Sequence, residues 1–377
     1  MGNNGETGKG KKLLAMRGCA CGCDNTISLT AGGLSRRQFA AGAAGAAAAL
    51  LAIGLDPFRK ASAQTAEKPY RIDVQHHLSP PTFIQAAVAN NFGDGLLRGW
   101  TIEKSLADMD AAGVAVSMLS VTQPGVNFTS GEAARKLVRE CNEYNAKLIA
   151  DHPGRFGGWA MLPLADIDAS LKEIEYALDT LKLDGIGLMT NYRDKWLGHL
   201  SFLPVMEELN RRKCVVYTHP STADCCVNLL PNEPPTLVEW GTDTTRTIGD
   251  IVFSGNAQKF RDIKWIFSHA GGTMPFLIER FIRQPIIEAK YKAMVPDGTL
   301  AELARFYYDT AQTSNKASMS ALSAIIPTSQ IMFGTDFPYR TGIDHVKGLR
   351  SSGVFTDAQI MDIERDNALK LLPRLHA

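Results

Sequence analysis

From Tyr70 onward, short apolar runs alternate with amphipathic stretches, and this alternation constrains the fold more than any other feature of the chain. The runs expected as strands are 71–75, 116–121, 156–162, 185–189, 215–219, 265–269, 306–310 and 330–335. Most are apolar almost throughout, as parallel strands covered on both faces must be. Helical periodicity fills the gaps at 102–112, 131–152, 167–181 and 202–212, with a last helix at 356–372. Thr101 and Glu103 mark the start of the first helix, and Pro153-Gly154 the end of the second. Eight strands between Arg71 and Thr335 give about 33 residues per unit, the spacing of an α/β (β/α)8 barrel of TIM type. A doubly wound open sheet is the alternative, but no GxGxxG follows the first strand.

The N-terminal segment is of another kind. Residues 1–63 hold eight basic residues against three acids, Glu6, Asp24 and Asp56. Ser35-Arg36-Arg37-Gln38-Phe39 precedes an Ala/Gly/Leu run from Ala40 to Leu55, and Ala61-Ser62-Ala63 supplies a small-x-small cleavage pattern. This resembles a twin-arginine export signal, which implies a periplasmic protein delivered folded. The run is too short and too rich in Ala and Gly for a bilayer-spanning anchor. The expected division is therefore a leader over 1–63 and one barrel domain over 64–377. Of seven cysteines, Cys19, Cys21 and Cys23 fall in the leader, and adjacent Cys225 and Cys226 are poorly placed for a mutual disulfide.

Composition excludes several function classes. With 377 residues, 45% hydrophobic, 21% charged and a net charge of +1, the chain is an ordinary globular protein with no electrostatic case for nucleic acid. In a (β/α)8 barrel the chemistry gathers where strands end. There His77 lies just past the first strand, His219 closes the fifth, His269 closes the sixth, and Asp336 follows the eighth. Imidazoles and a carboxylate on one rim suit a divalent ion, zinc or manganese, with open positions for water or substrate. His76 is adjacent to His77 on extended backbone and points the other way; it is placed in the ligand surroundings or at the substrate rim. The segment 223–248, with Trp240 and Arg246, is long for a βα connection and is a candidate lid or specificity loop.

The segments Asp73-Val74-Gln75-His76-His77, Thr218-His219-Pro220, Ser268-His269-Ala270-Gly271-Gly272 and Gly334-Thr335-Asp336-Phe337-Pro338 together resemble the amidohydrolase superfamily. The branch they resemble most is that of aminocarboxymuconate-semialdehyde decarboxylase and the non-oxidative benzoate decarboxylases. The resemblance implies that His77, His219 and Asp336 ligate one metal ion and that His269 activates or orients water and substrate. Gln75 is a departure, because it stands where the pattern has His or Glu; a neutral amide is a weaker ligand. Binuclear members carry a carboxylated Lys at the end of strand 4, where this chain reads Leu188-Met189-Thr190-Asn191, so a single ion is expected. By the same resemblance Arg280 reaches a substrate carboxylate across a homodimer.

The chemistry that follows is metal-dependent decarboxylation of an aromatic or unsaturated carboxylic acid such as a hydroxybenzoate. Asp336 is the favoured proton donor and His269 its aid. Hydrolysis of a lactone, amide or ester on the same rim is the alternative, and a degenerate periplasmic binding protein a third. Arg280, Arg246, Trp240 and His76 are the substrate-binding candidates.

Overall fold

The computed structural model describes residues 70–376, so the expected leader and its cleavage site lie outside the described residues. Eight parallel strands form one sheet in sequence order: β1 (Arg71–Leu78), β2 (Val114–Val121), β3 (Phe156–Met161), β4 (Gly185–Met189), β5 (Val215–His219), β6 (Lys264–Phe267), β7 (Tyr307–Asp309) and β8 (Ile331–Met332). Hydrogen bonds from Val74 N–H to Phe333 O (2.9 Å) and from Asp336 N–H to Gln75 O (2.9 Å) join the last strand to the first. The expected (β/α)8 barrel is thus present and nearly closed. A two-residue hairpin, Asn191–Tyr192 with Lys195–Trp196, stands above β4.

Helices cover the barrel at the four places between 102 and 212 where the apolar periodicity put them, and at further places where it marked none. α1 (Ile102–Ala112) starts at Thr101, whose hydroxyl accepts from Lys104 N–H, and stops at Gly113, which is left-handed (φ 66°) as a helix C-terminus favours. α2 (Gly131–Asp151) buries Asn142, which is satisfied by exchanging hydrogen bonds with the Met161 backbone on β3. α3 (Ile167–Glu175) continues as a wide π-turn over Tyr176–Thr180, and α4 (Leu203–Arg211) follows. The lid candidate divides: after a short 3-10 turn (Asp224–Cys226) the chain is exposed to Leu237, and α5 (Glu239–Phe253) then begins. α6 (Ile278–Ile287), α7 (Lys316–Ser323) and α8 (Gly342–Ser351) complete the described ring.

Two apolar layers result. Inside the barrel, Ile72, Val74, Val116, Met118, Trp159, Tyr217, Ile266 and Met332 pack on one another. Trp159 lies over β4, where a Cβ on Gly185 would sit 2.8 Å from its ring; glycine there is what lets the indole occupy the barrel axis. Its Nε1–H donates to Val74 O (3.0 Å). This plug closes the lower barrel, so polar side chains can gather only at the rim above it.

Candidate metal centre and active site

β1 delivers two consecutive imidazoles, and strand alternation sends them apart. His77 faces the barrel axis. His76 faces the helices, with Nδ1 3.0 Å from Asp73 Oδ2, Nε2 3.0 Å from Ser105 Oγ, and its ring stacked on Phe337 at 4.7 Å. Buried on that side, it braces β1 against α1 and β8 and does not line the substrate cavity, contrary to its placement among substrate-binding candidates.

His77, His219 and Asp336 converge, with ligand atoms within 4.8 Å of one another and all three side chains buried. His77 Nε2 lies 2.8 Å and His219 Nε2 3.7 Å from Asp336 Oδ1. The outer nitrogen of each ring is engaged: Nδ1–H of His77 donates to Ser120 O (3.3 Å), and that of His219 to Pro220 O (2.9 Å). Those bonds fix the tautomers so that both Nε2 lone pairs face the carboxylate. Lone pairs facing an anion need a cation between them, a proton or a metal ion. The orphaned polar atoms agree, because His219 Nε2 and Gln75 Oε1 are buried without a partner. The donor set therefore fits a divalent ion held by His77, His219 and Asp336.

Gln75, fully buried, lies inside this group. Its Nε2 donates to Asp336 Oδ1 (2.7 Å) and lies 2.9 Å from His269 Nε2. Rotation of the amide exchanges that donor for Oε1, so the side chain is within reach of the ion's position. At the end of β4 stands Thr190, whose hydroxyl donates to Asp243 of α5, and no lysine is there. Asn191 Nδ2 and Trp196 Nε1 also donate to Asp243, each at 2.7 Å. This buried aspartate pins α5 to the hairpin above β4.

His269 follows β6 and sits with Nε2 3.6 Å from Asp336 Oδ2. Electrostatics divide the group. Burial would raise the Asp336 carboxyl, but the imidazoles of His219, His269 and His77 gathered around it outweigh that and hold the group well below the carboxylate range. Burial lowers His219 to about 4. For His269 burial also works downward, but hydrogen bonding to Asp336 and the charges of Asp336 and Asp309 prevail, leaving it above its ordinary value.

A cavity of about 770 Å³ opens onto His269 and Asp336. Leu237 and Val238 from the exposed loop, Trp240 from α5 and Tyr339 after β8 give it an apolar and aromatic wall, while Gln312 and Thr313 add polar groups. No Lys or Arg lines it among the described residues. Trp240 is thus where the sequence placed it, its ring 6.0 Å from that of His219. Arg246 is not: one turn and a half along α5, it turns to Glu239 and Asp243 (3.7 and 3.8 Å) and away from the cavity. Arg280 is exposed on α6 and also outside the cavity lining of this chain. Asp309 and Gln312, at the end of β7, went unnoticed in the sequence. The strand-end rule, applied to β7 as it was to β1, β5, β6 and β8, singles out Asp309.

Comparison with known proteins agrees with this geometry. The family model described as "Amidohydrolase" matches residues 72–374. Decarboxylase yanB of Aspergillus niger is 37% identical over 324 residues, covering 81% of this chain and 88% of that protein. The 6-methylsalicylic acid decarboxylase acuB of Aspergillus aculeatus is 34% identical over 318 residues, covering 81% and 96%. Among solved structures, dihydroxybenzoic acid decarboxylase of Polaromonas sp. JS666, with bound manganese, superimposes with a TM-score of 0.70 at 20% identity, covering 82% of this chain and 98% of that one. The 2,6-dihydroxybenzoate decarboxylase from Rhizobium gives 0.72 at 20% identity, covering 81% and 99%. A fold, a buried donor set at its rim and a match along almost the whole barrel agree, and the chain belongs to the amidohydrolase family.

Proposed function

We propose that this protein is a metal-dependent, non-oxidative decarboxylase of hydroxybenzoate-like acids, with a 2-hydroxybenzoate bearing a small ring substituent as substrate. The observation that carries this reading is the buried His77–His219–Asp336 donor set with His269 against it, in a chain whose relatives above 30% identity include named decarboxylases. Two relatives named 6-methylsalicylic acid decarboxylase, 34% and 32% identical, support the substituent.

The reaction adds a proton to the ring carbon that bears the carboxylate; the carbon–carbon bond then breaks, its electrons restore the aromatic ring, and CO2 leaves. The wall of Leu237, Val238, Trp240 and Tyr339 receives the ring and excludes water from it. His269 Nε2 and Asp336 Oδ2, 3.6 Å apart beside the cavity, hold the proton and deliver it to the ring carbon. Among the described residues no Lys or Arg lines the cavity, and His77, His219 and Asp336, with Gln75 as a weaker fourth donor, would hold the ion that balances the substrate's charge. When bound, such an ion would supply Lewis-acid chemistry toward an anionic substrate. Imidazole and oxygen donors together suit zinc or manganese.

We also propose a homodimer. Phe276, Ile286 and Ile287, on or beside α6, are 88%, 77% and 65% exposed on the helix that carries Arg280, an apolar surface that a second copy would cover. Export to the periplasm through the twin-arginine signal completes the reading.

The test incubates metal-loaded protein with a panel of hydroxybenzoates and lactones, with and without prior chelation. Release of CO2 from a hydroxybenzoate, lost on chelation and restored by manganese or zinc, is expected. Acid release from lactones without CO2 would replace the decarboxylase by a hydrolase, and binding without turnover would leave a binding protein.

A further inference from the structure

The turn after β6 is unusual in its backbone. His269, Ala270, Gly271 and Gly272 have φ of 55°, 57°, 75° and 67°, four successive residues in the left-handed region. Glycine adopts it freely, whereas His269 and Ala270 adopt it at a cost that the surroundings must offset. Asp309, fully buried at the end of β7, supplies the restraint: its Oδ1 accepts from His269 N–H (2.8 Å) and from Ala311 N–H (3.1 Å). Three residues on, Gln312 reaches the second acid–base group, its Nε2 donating to Asp336 Oδ2 at 2.9 Å. Its own backbone is left-handed (φ 57°), and its N–H is held by Nε2 of buried His345 (2.9 Å), whose Nδ1–H donates to Thr341 O (3.0 Å).

One four-residue corner therefore ends in two contacts, one on the backbone that aims His269 and one on the Asp336 oxygen not shared with His77. We propose that Asp309 and Gln312 are positioning residues that hold His269 and Asp336 in register for proton delivery. The inference rests on the decarboxylase reading for its kinetic consequence alone. An amide suits the second contact because its Nε2 donates to the carboxylate. A glutamate or a leucine could not donate.

The experiment compares Asp309→Asn, Asp309→Ala, the double variant Asp309→Ala/Ala270→Gly, and Gln312→Leu in the metal-loaded full chain. It measures kcat and KM for a hydroxybenzoate beside bound metal, and the imidazole ¹H–¹³C signals of His269 assigned with His269→Asn. Asn keeps the Oδ1 acceptor, so Asp309→Asn should retain turnover and the His269 signals. Asp309→Ala should lower kcat by about ten- to a hundredfold at unchanged metal content, with displaced His269 signals. Glycine at 270 removes the backbone cost there, so the double variant should regain part of the loss. Gln312, at the cavity mouth, can be changed without disturbing the core; Gln312→Leu should lower kcat with little change in KM and displace the pH profile of kcat. Wild-type kcat in Gln312→Leu, or wild-type His269 signals in Asp309→Ala, would overturn the assignment. Should Asp309→Ala fail to fold, Asp309→Asn with displaced signals or Gln312→Leu with full turnover would do so alone. A wild-type protein that releases no CO2 sinks the decarboxylase reading, while the His269 signals still decide the positioning role.

Discussion

Replacing Gln75 with Glu changes one neutral group into an anion at nearly constant volume, at the most charge-sensitive point of the site. The new carboxylate would lie about where Nε2 now donates to Asp336 Oδ1, a separation of 2.7 Å. At an effective dielectric of 20, two unit charges at that distance repel by roughly 6 kcal/mol as an upper bound. The metal-free protein escapes the full repulsion by taking up a proton. Holding that proton at pH 7 on a group of ordinary pKa about 4.3 costs at most about 4 kcal/mol. The smaller figure is the limit, so metal-free Gln75→Glu should be destabilised by about 2–4 kcal/mol. At about 2 °C per kcal/mol for a domain of this size, that lowers Tm by about 4–8 °C.

The sign reverses on loading, because the same carboxylate then neutralises the ion. The Tm gap between metal-loaded and metal-free protein should be wider in Gln75→Glu than in wild type, with metal affinity raised at least tenfold. The metal-free deficit should shrink as pH falls from 7 to 5, since the required proton becomes easier to hold; near pH 5 the same bound is about 1 kcal/mol. Thermal melts with chelator and with manganese, at both pH values, measure all three. If metal-free Gln75→Glu melts with wild type at pH 7, Gln75 does not lie against Asp336 and its place in the donor set is withdrawn.

Asp336→Asn keeps the size and one oxygen acceptor but loses the charge and the transferable proton; turnover of metal-replete protein should fall by roughly 10²–10⁴-fold. Near wild-type turnover with metal bound would move the acid–base role to His269 alone. His345 is buried and its pKa is lowered by that burial, so the unfolded chain takes up a proton that the native protein resists. The stability it contributes is full above about pH 6.5 and is lost as pH falls through its lowered native value, so His345→Gln should flatten the acid side of the Tm–pH curve; an unchanged slope counts against it. Changing Arg36 and Arg37 together to Lys should leave the protein in the cytoplasm on cell fractionation, and normal periplasmic delivery would refute the twin-arginine signal.

The barrel was legible because its strands are continuous apolar runs and its helices are amphipathic; the two periods are read from composition in short windows. β4 and β5 have the expected bounds, whereas β8 shrinks from 330–335 to Ile331–Met332. There Gly334 to Asp336 leave the pairing with β7 to deliver the carboxylate while Asp336 N–H still bonds Gln75 O, and Asp336 itself is left-handed (φ 61°). The strand ended early because it carries function. His77, His219, His269 and Asp336 were found because strand ends in a barrel share one rim whatever their sequence separation. Arg246 was misplaced because the segment that holds it was taken as loop. In a loop its side chain was free to face the substrate, but on α5 the helical period turns it toward Glu239 and Asp243, the latter three residues before it.

What the sequence withheld is the dependence of one strand end on another. Asp309 reads in the chain as one more acid at a strand end, and Gln312 as a polar loop residue. Their importance appears only when the β6 turn is seen to place His269 and Ala270 at positive φ, a conformation that no local pattern in Ser268-His269-Ala270-Gly271-Gly272 requires of either. The cost is met from β7, which lies about forty residues further along the chain and beside β6 in the barrel. The same logic separates His76 from His77. Adjacent in sequence and identical in kind, one braces β1 against α1 and the other faces the carboxylate, because the strand's two-residue period sends them to opposite sides. Residue type selects the candidates for chemistry, and the backbone that carries each of them decides which face the reacting atoms.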